Sequence, residues 1–412
     1  GRFEGVEEPL ARIAAYAYSL DAARKMTAGS LDAGEQPSVL SAILKYHATE
    51  KMRTALNDAL DIHGGRGICD GPNNYLFGIY QSVPVAITVE GANILTRNLM
   101  IFGQGAIRCH PHLLNEMKAS VLEDPKVSLE AFDKELWAHI GDATSNVIRA
   151  FWHNLTFVIF ASTPEVRGIG GMYRQLHAAC VSFAVVSDLV MATLGGGLKR
   201  REGISARLGD VLSELYLMSC LLKRFESDGM QAADLPLVEW NHRKSLYDIQ
   251  NRLDEVLIDL PNRPVAWFLR VIVFPWGRRR RPPNGKLIHA CASLILEESE
   301  TRERLTAGIY STTDQSDPTG LIEASFNAAL TRDAIEAKLR EAGKSGRAAL
   351  SDLAGLVSEG VLSAEDAALL NNANKLIREA IMVDDFAPSD LTNRTKKATT
   401  KKTPAQNDPS SN

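Results

Sequence analysis

Residues 178–198 read AACVSFAVVSDLVMATLGGGL and decide how the rest of the chain is interpreted. A run of about 20 apolar residues is long enough to cross a bilayer, so this stretch is a candidate membrane span. Asp188 lies in its middle, two serines interrupt it, and three glycines close it. A charge at the centre of a bilayer is costly, whereas a helix inside a protein core accommodates a partnered polar residue. The stretch therefore predicts a buried helix of a bundle.

The segments around this helix repeat apolar residues at steps of three and four. This spacing predicts amphipathic helices over 6–32, 37–62, 92–103, 131–162, 171–194, 204–226, 236–259 and 286–307. Shorter helices rich in alanine and leucine are predicted within 320–383. No convincing alternation of apolar and polar residues accompanies the long segments, so the predicted fold class is all-α, a helical bundle.

Breaks in the helical pattern predict three parts of the chain. GQGAIRCHPHL, residues 103–113, interrupts the periodicity, so a first helical domain is predicted over 1–118 and a second over 119–386. From residue 387 the composition turns to Ser, Thr, Lys, Pro and Asn with almost no large apolar residue. Residues 387–412 are therefore predicted to form a disordered tail.

Composition limits the classes of partner and compartment. Apolar residues make up 45% of the chain and charged residues 23%, as in soluble globular proteins. A net charge of −4 gives no general reason to expect nucleic acid as a partner. The five cysteines are scattered and form no CxxC pair, so neither a disulfide framework nor a zinc site is indicated. A reducing compartment, the cytoplasm, is expected.

The stretch PVAITVEGANILTRN, residues 84–98, places a lone carboxylate after a β-branched run. Glu90 is followed at once by Gly91, and a helical pattern then begins. An acid at a helix N-terminus interacts favourably with the helix dipole, and glycine eases the turn. A carboxylate at the mouth of an apolar segment is also a candidate general base. The spacing alone favours the first interpretation and leaves the second open.

Three stretches together resemble the acyl-CoA dehydrogenase family. DALDIHGGRG, residues 58–67, resembles the flavin-contacting loop of that family, and KYHATE, residues 45–50, resembles the helix before it. The gap to TVEGANILTR is similar to the family's gap to its catalytic Glu-Gly pair. SARLGDVLSELYL, PNRPVAW, FPWGRRRRPP, RLTAGIY and VDDF resemble the C-terminal extension of the large bacterial members that act in fatty-acid β-oxidation. The resemblance spans residues 1–386.

The resemblance implies an FAD-dependent enzyme that converts a medium- or long-chain acyl-CoA to the trans-2-enoyl-CoA. It assigns Glu90 as the base that removes the α-proton and places Gly91 at the thioester. The β-branched run before Glu90 is expected to shelter the carboxylate from water. An electron-transfer flavoprotein is the implied electron acceptor, and a homo-oligomer is the implied assembly.

The resemblance also places two groups of residues near FAD. They are Asp61, Ile62, His63, Gly64, Gly65 and Gly67 in the first motif, and Ala92, Asn93 and Ile94 after the Glu-Gly pair. The sequence departs from the family pattern at three positions. Asp61 stands for the usual Gln, Val89 for Tyr and Ala92 for Thr. EGANILTR also resembles acyl-CoA oxidases, which pass electrons to O₂, and a helical assembly module without chemistry is the non-enzymatic alternative.

The chain begins GRFEGVEEP, with neither Met nor a leader pattern. The family's preceding helical and β-domains, which hold the flavin ring, would lie upstream. The expectation is therefore a fragment that is inactive by itself and colourless or weakly flavinylated.

Two further motifs carry hypotheses. Arg278, Arg279, Arg280 and Arg281 lie beside Trp276 and could dock on anionic lipid, as a basic cluster gains about 1 kcal/mol per charge there. Such contact would place the protein peripherally at the inner membrane, although a solvated charge run is equally compatible. His110 and His112 flank a proline, but no carboxylate lies at a useful spacing in sequence, so no metal is predicted.

Overall fold

The computed structural model describes residues 1, 3–162, 166, 168–344 and 352–389. Within this part every regular element is a helix, which confirms the all-α prediction. The α-helices are α1 (Glu4–Asp32), α2 (Ser38–His63), α3 (Gly65–Ile68), α4 (Phe77–Thr88), α5 (Asn93–Leu95), α6 (Phe102–Cys109), α7 (Leu113–Ala119), α8 (Pro125–Leu155), α9 (Gly170–Leu194), α10 (Glu202–Ser227), α11 (Leu235–Asp259), α12 (Arg263–Val273), α13 (Gly285–Leu296), α14 (Glu300–Thr306), α15 (Pro318–Glu341), α16 (Leu353–Ser358) and α17 (Ala364–Ile381). A π-helix (Thr96–Ile101) connects α5 to α6.

Most predicted helices are present, and the differences have local causes. α8 begins earlier than predicted because the Asp124 side chain accepts a hydrogen bond from the Lys126 N–H and so caps the helix. The predicted helix over 286–307 is two helices, since Ser299 caps a second one by accepting from the Arg302 N–H. α4 and α12 were not predicted. α4 contains Pro84 within a β-branched run, and both features are unfavourable in helices taken alone.

The chain divides into two compact units. The first contains residues 1–58 and 82–309, and the second contains the described residues of 59–81 and 310–412. This division differs from the predicted sequence domains, because α1 packs against α10, α11 and α13, which lie far beyond residue 118. The break in periodicity near residue 118 therefore coincides with no break in the core of the first unit.

The core of the first unit is built around α10. Its buried side chains include Leu208, Val211 and Leu222, all with no exposed surface. Full burial of one leucine side chain is worth about 1.5–3 kcal/mol. α10 packs against α1, α9 and α11.

α9 is the helix that contains the stretch at 178–198. Within the described residues, the helical stretch Gly170–Arg200 is the one long and apolar enough to cross a membrane. α9 nevertheless packs against α8, α10, α11 and α12, and Val185, Val186 and Val190 are buried in the core of the first unit. The Asp188 carboxylate accepts a hydrogen bond from His110 Nε2 at 3.0 Å. Asp188 is thus partnered inside the protein, in agreement with a bundle helix.

The second unit has a smaller core. α15 packs against α17, and Ile335, Leu339, Leu356 and Leu370 form a buried cluster. The Asp317 side chain caps α15 by accepting from the Thr319 N–H at 2.8 Å. The predicted disordered tail lies, from residue 390 onward, outside the described residues.

His47 and His242, two of the buried histidines of the first unit, lack full hydrogen bonding among the described residues. His47 and His242 are largely buried, and the Nε2 atom of each has no hydrogen-bond partner among the described residues. Burial lowers the pKa of both side chains to about 4, because loss of water disfavours the charged imidazolium. Both rings are therefore neutral in the folded protein near neutral pH.

We predict that the free energy of unfolding falls as the pH is lowered from about 6.5 towards 4. The folded pKa lies below the unfolded value, so the unfolded chain takes up protons first and protonation favours unfolding. Each histidine should account for a loss of about 2 kcal/mol at pH 5. Chemical denaturation at pH 7 and pH 5 measures this loss. His47→Gln and His242→Gln should each lose less stability between the two pH values than the wild type does, and an equal loss would show the assignment to be wrong.

Candidate functional site

The backbone at Glu90 and Gly91 forms a sharp bend after α4. Glu90 has a φ of 52° and Gly91 a φ of 93°. Glycine adopts such angles readily, but a residue with a side chain pays about 1–2 kcal/mol in the left-handed region. A Cβ atom at position 91 would also lie 3.3 Å from Thr96 Oγ1. A strained residue of this kind persists only where its surroundings hold it, and such residues concentrate at functional sites.

The expectation that the preceding β-branched run shelters Glu90 is wrong for this chain. Val85 lies on α4 rather than on an enclosing strand, and Val85, Val89 and Glu90 are all exposed. The Glu90 carboxylate forms no ion pair, and the Glu90 N–H donates no hydrogen bond, within the described part of the chain. Both groups are therefore available to a ligand.

A half-buried lysine holds the bend in position. Lys45 Nζ donates hydrogen bonds to the Gly91 carbonyl oxygen at 2.8 Å and to Asn93 Oδ1 at 2.7 Å. Asn93 Nδ2 donates in turn to Thr49 Oγ1 at 2.9 Å and to Glu50 Oε1 at 2.7 Å. One face of α2 thereby fixes the segment after Glu90. The KYHATE motif thus has a structural role that its sequence did not reveal.

This network changes the interpretation of the three predicted cofactor contacts after the Glu-Gly pair. Asn93 is buried, and both Oδ1 and Nδ2 of its side chain form hydrogen bonds with residues of α2. The Asn93 side chain therefore positions the bend. Ile94 is 78% exposed and can meet a ligand. Ala92 precedes α5, where its carbonyl oxygen accepts from the Thr96 N–H at 2.9 Å. Direct contact of these residues with a cofactor stays a prediction.

An ion-pair network anchors the helical segment that follows. Arg97 donates two hydrogen bonds to the Asp210 carboxylate on α10, at 2.8 and 2.6 Å. Arg252 Nε on α11 lies 3.0 Å from the same carboxylate. A Cβ atom at Gly209 would come within 3.3 Å of the Arg97 carbonyl oxygen, so α10 and the π-helix approach closely there. Bidentate arginine–carboxylate pairs fix orientation as well as distance.

The first motif, residues 61–67, belongs to the second unit. α2 ends at His63, and Gly64 follows it with a φ of 57°. The Gly64 N–H donates to the Leu60 carbonyl at 2.9 Å. Asp61, Ile62, Gly64 and Gly65 are exposed, and a Cβ atom at Gly64 would meet nothing within 4 Å. Four of the six predicted contacts in this motif are therefore accessible.

The other two predicted residues of this motif are engaged within the protein. His63 is half-buried, with Nδ1 bonded to the Ala59 carbonyl and Nε2 bonded to the Tyr75 hydroxyl, both at 2.7 Å. Gly67 is buried, and a Cβ atom there would lie 3.1 Å from the Leu60 carbonyl oxygen. Both residues shape the loop from inside.

The C-terminal motif VDDF holds the loop that follows. The Asp384 carboxylate accepts hydrogen bonds from the Asn73 backbone N–H at 3.2 Å and from Asn73 Nδ2 at 2.8 Å. The Arg66 guanidinium is buried, and its Nη2 donates to the Asn73 carbonyl at 3.1 Å. The contact between Asn73 and Asp384 joins residues 311 positions apart, so sequence spacing gave no signal for it.

The histidines at 110 and 112 have partners that their spacing did not indicate. The His112 imidazole contacts Asp142 at 2.8 Å and Glu135 at 3.4 Å, and hydrogen bonding to these carboxylates raises the pKa of His112. No carboxylate lies at a useful spacing in the sequence, but the fold brings three to the histidines from elsewhere in the chain. The fold places Asp188 of α9 beside His110, and Glu135 and Asp142 of α8 beside His112.

The nitrogens of His110 and His139 and the Asp188 carboxylate come within 4.8 Å of one another, a set that could hold a cation. His110 Nδ1, however, accepts from the backbone N–H groups of His112 and Leu113 at 3.2 and 3.1 Å. Its proton therefore lies on Nε2 and is donated to Asp188. A metal at Nε2 would require this proton to leave and would break the contacts at Nδ1, so the geometry favours a hydrogen-bonded cluster.

Comparison with known proteins identifies the family. A family model for acyl-CoA dehydrogenase, C-terminal, bacterial type, matches residues 107–386, well over half of the chain. The chain belongs to the acyl-CoA dehydrogenase family. A second model, the acyl-CoA dehydrogenase C-terminal domain, matches residues 1–101. Glu90 and both site motifs of this family member thus fall within the second matched region.

A solved structure shows the same fold. It is an acyl-CoA dehydrogenase complexed with FAD from Bacillus anthracis, similar at 17% identity with a TM-score of 0.51. The match covers 71% of this chain and 49% of that one, so the chain spans about half the length of the solved relative. At this identity the similarity shows the fold alone.

We predict that Lys45→Met loosens the Glu90–Gly91 bend. The substitution keeps an aliphatic stem but removes the charged donor to the Gly91 carbonyl and to Asn93, at a cost of about 1–3 kcal/mol. Hydrogen exchange over residues 89–96 should become faster, and the thermal midpoint should fall. Lys223→Met is the control, because Lys223 is exposed and its ammonium lies 3.5 Å from Glu226. Equal protection of residues 89–96 in both variants would disprove the positioning role.

Proposed function

We propose that the protein is an acyl-CoA dehydrogenase that oxidises the Cα–Cβ bond of a medium- or long-chain acyl-CoA in fatty-acid β-oxidation. FAD is the proposed cofactor and Glu90 the proposed base. The observation that carries the proposal is the Glu90–Gly91 bend. The Glu90 backbone is strained, and neither its carboxylate nor its N–H has a partner among the described residues. Lys45 and Asn93 hold the bend in place.

The residues of the bend would divide the proton chemistry between them. The Glu90 carboxylate takes the α-proton and becomes neutral, while the electron pair of the broken C–H bond forms the new double bond. The Glu90 N–H is free to donate to the thioester oxygen, where negative charge develops. Gly91 carries no side chain that would obstruct the thioester. FAD, when bound, supplies the acceptor for the hydride that leaves the β-carbon.

Exposed apolar side chains near Glu90 in sequence support this role. Val85, Val89 and Ile94 are 58%, 49% and 78% exposed. An apolar acyl chain or another part of the enzyme covering them would remove water from the carboxylate. Exclusion of water strengthens the electrostatic interactions of a base with its substrate.

The loop in the second unit fits a phosphate-bearing cofactor. The backbone is open at Gly64 and Gly65, and Arg66 Nε and Nη1 are buried without a hydrogen-bond partner among the described residues. Unpartnered guanidinium donors are complementary to a phosphate group. We therefore assign the exposed residues Asp61, Ile62, Gly64 and Gly65 to contact with FAD, and the buried Arg66 beneath them to its charge complementarity. The electron acceptor is proposed to be an electron-transfer flavoprotein, and the assembly a homo-oligomer.

We predict that Glu90→Gln abolishes turnover while the fold is retained. The amide has the size of the carboxylate but cannot accept the α-proton, and loss of a general base lowers the rate by about 10²–10⁴. The full-length gene product should be assayed with palmitoyl-CoA and a dye acceptor without oxygen. Glu202→Gln, an exposed glutamate at the start of α10, is the control. Full activity of Glu90→Gln would refute the assignment, and peroxide formation in air without the dye would identify an oxidase.

Peripheral membrane contact is a second proposal, and contacts within the protein favour α12 over the four arginines as its location. The four arginines are not a free charge cluster. Arg278 pairs with Asp254 at 3.1 Å, Arg279 lies over the Phe157 ring, and Arg280 donates to Gln175. The exposed apolar side chains of α12 are a better candidate. Trp267, Phe268 and Val271 are exposed while Leu269 is buried, which is the amphipathic pattern of an interfacial helix.

We predict that the protein sediments with anionic phosphatidylglycerol vesicles. Trp267→Ala combined with Phe268→Ala should weaken this partition strongly, because two interfacial aromatic side chains are lost. Replacement of all four arginines by glutamine should weaken it less, since three of them have protein contacts. Phosphatidylcholine vesicles control for charge. An unchanged partition of the double aromatic variant would exclude α12 as the contact.

A further inference from the structure

A cavity lies in the first unit among α8, α9, α11 and residues 273–280. Its volume is ≈410 Å³, within the range of small-molecule sites. Neither the Glu90–Gly91 bend nor the segment Ala92–Ile94 lines it. Apolar side chains form much of its wall, among them Val158, Ala178, Leu246, Ile249, Leu253 and Val273.

The formally charged side chains that line the cavity are all positive. Arg279 and Arg280 line the cavity, and no acidic residue is among the described residues that do so. Within the described part of the chain, neither arginine lies within salt-bridge distance of a carboxylate, whereas the neighbouring Arg278 is paired with Asp254. Two guanidinium groups are thus uncompensated beside an apolar space.

Neutral amides hold Arg280 in place. The Arg280 N–H donates to Gln250 Oε1 at 2.8 Å, and the Arg280 carbonyl accepts from Gln250 Nε2 at 3.3 Å. Arg280 Nη1 donates to Gln175 Oε1 at 3.0 Å. These bonds orient the guanidinium without neutralising it. The remaining donors are therefore positioned for an anion.

Aromatic rings stabilise the rim near Arg279. Phe157 and Trp276 stack with centroids 6.3 Å apart and planes 13° from parallel, and Trp276 Nε1 donates to the Leu155 carbonyl at 3.0 Å. The Arg279 guanidinium lies 5.4 Å from the Phe157 ring centroid. His153 also lines the cavity, is buried, and has an Nδ1 atom without a partner among the described residues.

This combination selects one class of ligand. Uncompensated arginines disfavour cations and attract a carboxylate, which guanidinium groups bind through paired hydrogen bonds. The apolar wall disfavours a polyanion, because each further charge would need a partner there. We propose that this cavity binds an amphiphilic monoanion, a carboxylate that carries an unbranched apolar chain of medium length. Arg279 and Arg280 hold the head group, and the wall of α9 and α11 holds the chain.

Isothermal titration of the purified 412-residue chain with decanoate, without vesicles, tests the proposal. We expect one saturable site per chain. Decanol and decylamine have the same chain without the negative charge, and both should bind at least tenfold more weakly. Absence of saturable binding at millimolar decanoate, or equal binding of decanol, would overturn the proposal.

Substitutions locate the site. Arg280→Gln and Arg279→Gln should each weaken decanoate binding about tenfold, since each removes a charged donor. Arg281→Gln is the matched control, because Arg281 belongs to the same run but does not line the cavity. Ala179→Leu, at a half-buried lining position, should reduce binding by filling the space. Circular dichroism checks folding of each variant.

Equal affinity of Arg280→Gln and Arg281→Gln for decanoate would place the ligand outside this cavity. Glu90 does not line the cavity, so Glu90→Gln should bind decanoate with the affinity of the wild type. Decanoate binding is thus tested independently of the dehydrogenase reaction.

Discussion

The hydrogen bonds from the Lys45 ammonium to the Gly91 carbonyl and Asn93 are the interaction on which the candidate site depends. A bend with two successive residues at positive φ has few internal hydrogen bonds of its own, so something outside it must hold its shape. The ammonium does so from the middle of a long helix. Because α2 is anchored in turn by the bidentate pair between Arg12 and Asp58, the position of Glu90 follows from the packing of the first unit.

The bend is held firmly but is not enclosed. Glu90 is exposed, and so are several apolar residues close to it in sequence. A base that removes a weakly acidic proton works best where water is excluded, so the substrate and the rest of the enzyme would have to complete the environment. The chain positions the proposed base, and a bound substrate would supply the shelter.

The long helices could be predicted from local sequence, whereas contacts between distant residues could not. Long helices such as α9, α10 and α11 were predicted nearly to the residue, because their apolar periodicity is local and strong. α4 was missed because Pro84 and the β-branched residues around it disfavour a helix locally, and packing overrides that preference. Asn93 was predicted as a cofactor contact, yet its amide is used by α2. The carboxylates around His110 and His112 were invisible because they arrive from α8 and α9.

By itself the sequence determined the helical class, the family resemblance and the residue types of the site, since periodicity and motif order are properties of neighbouring residues. Only the tertiary structure decided which side chains are free to react. Lys45 could have been a surface charge, Asp384 a tail residue and Arg280 a solvated cation. In the fold, Lys45 supports the bend and Asp384 holds a loop through Asn73. Arg280 is oriented by Gln175 and lines a cavity. A long-range contact depends on how helices pack, and no local spacing encodes that arrangement.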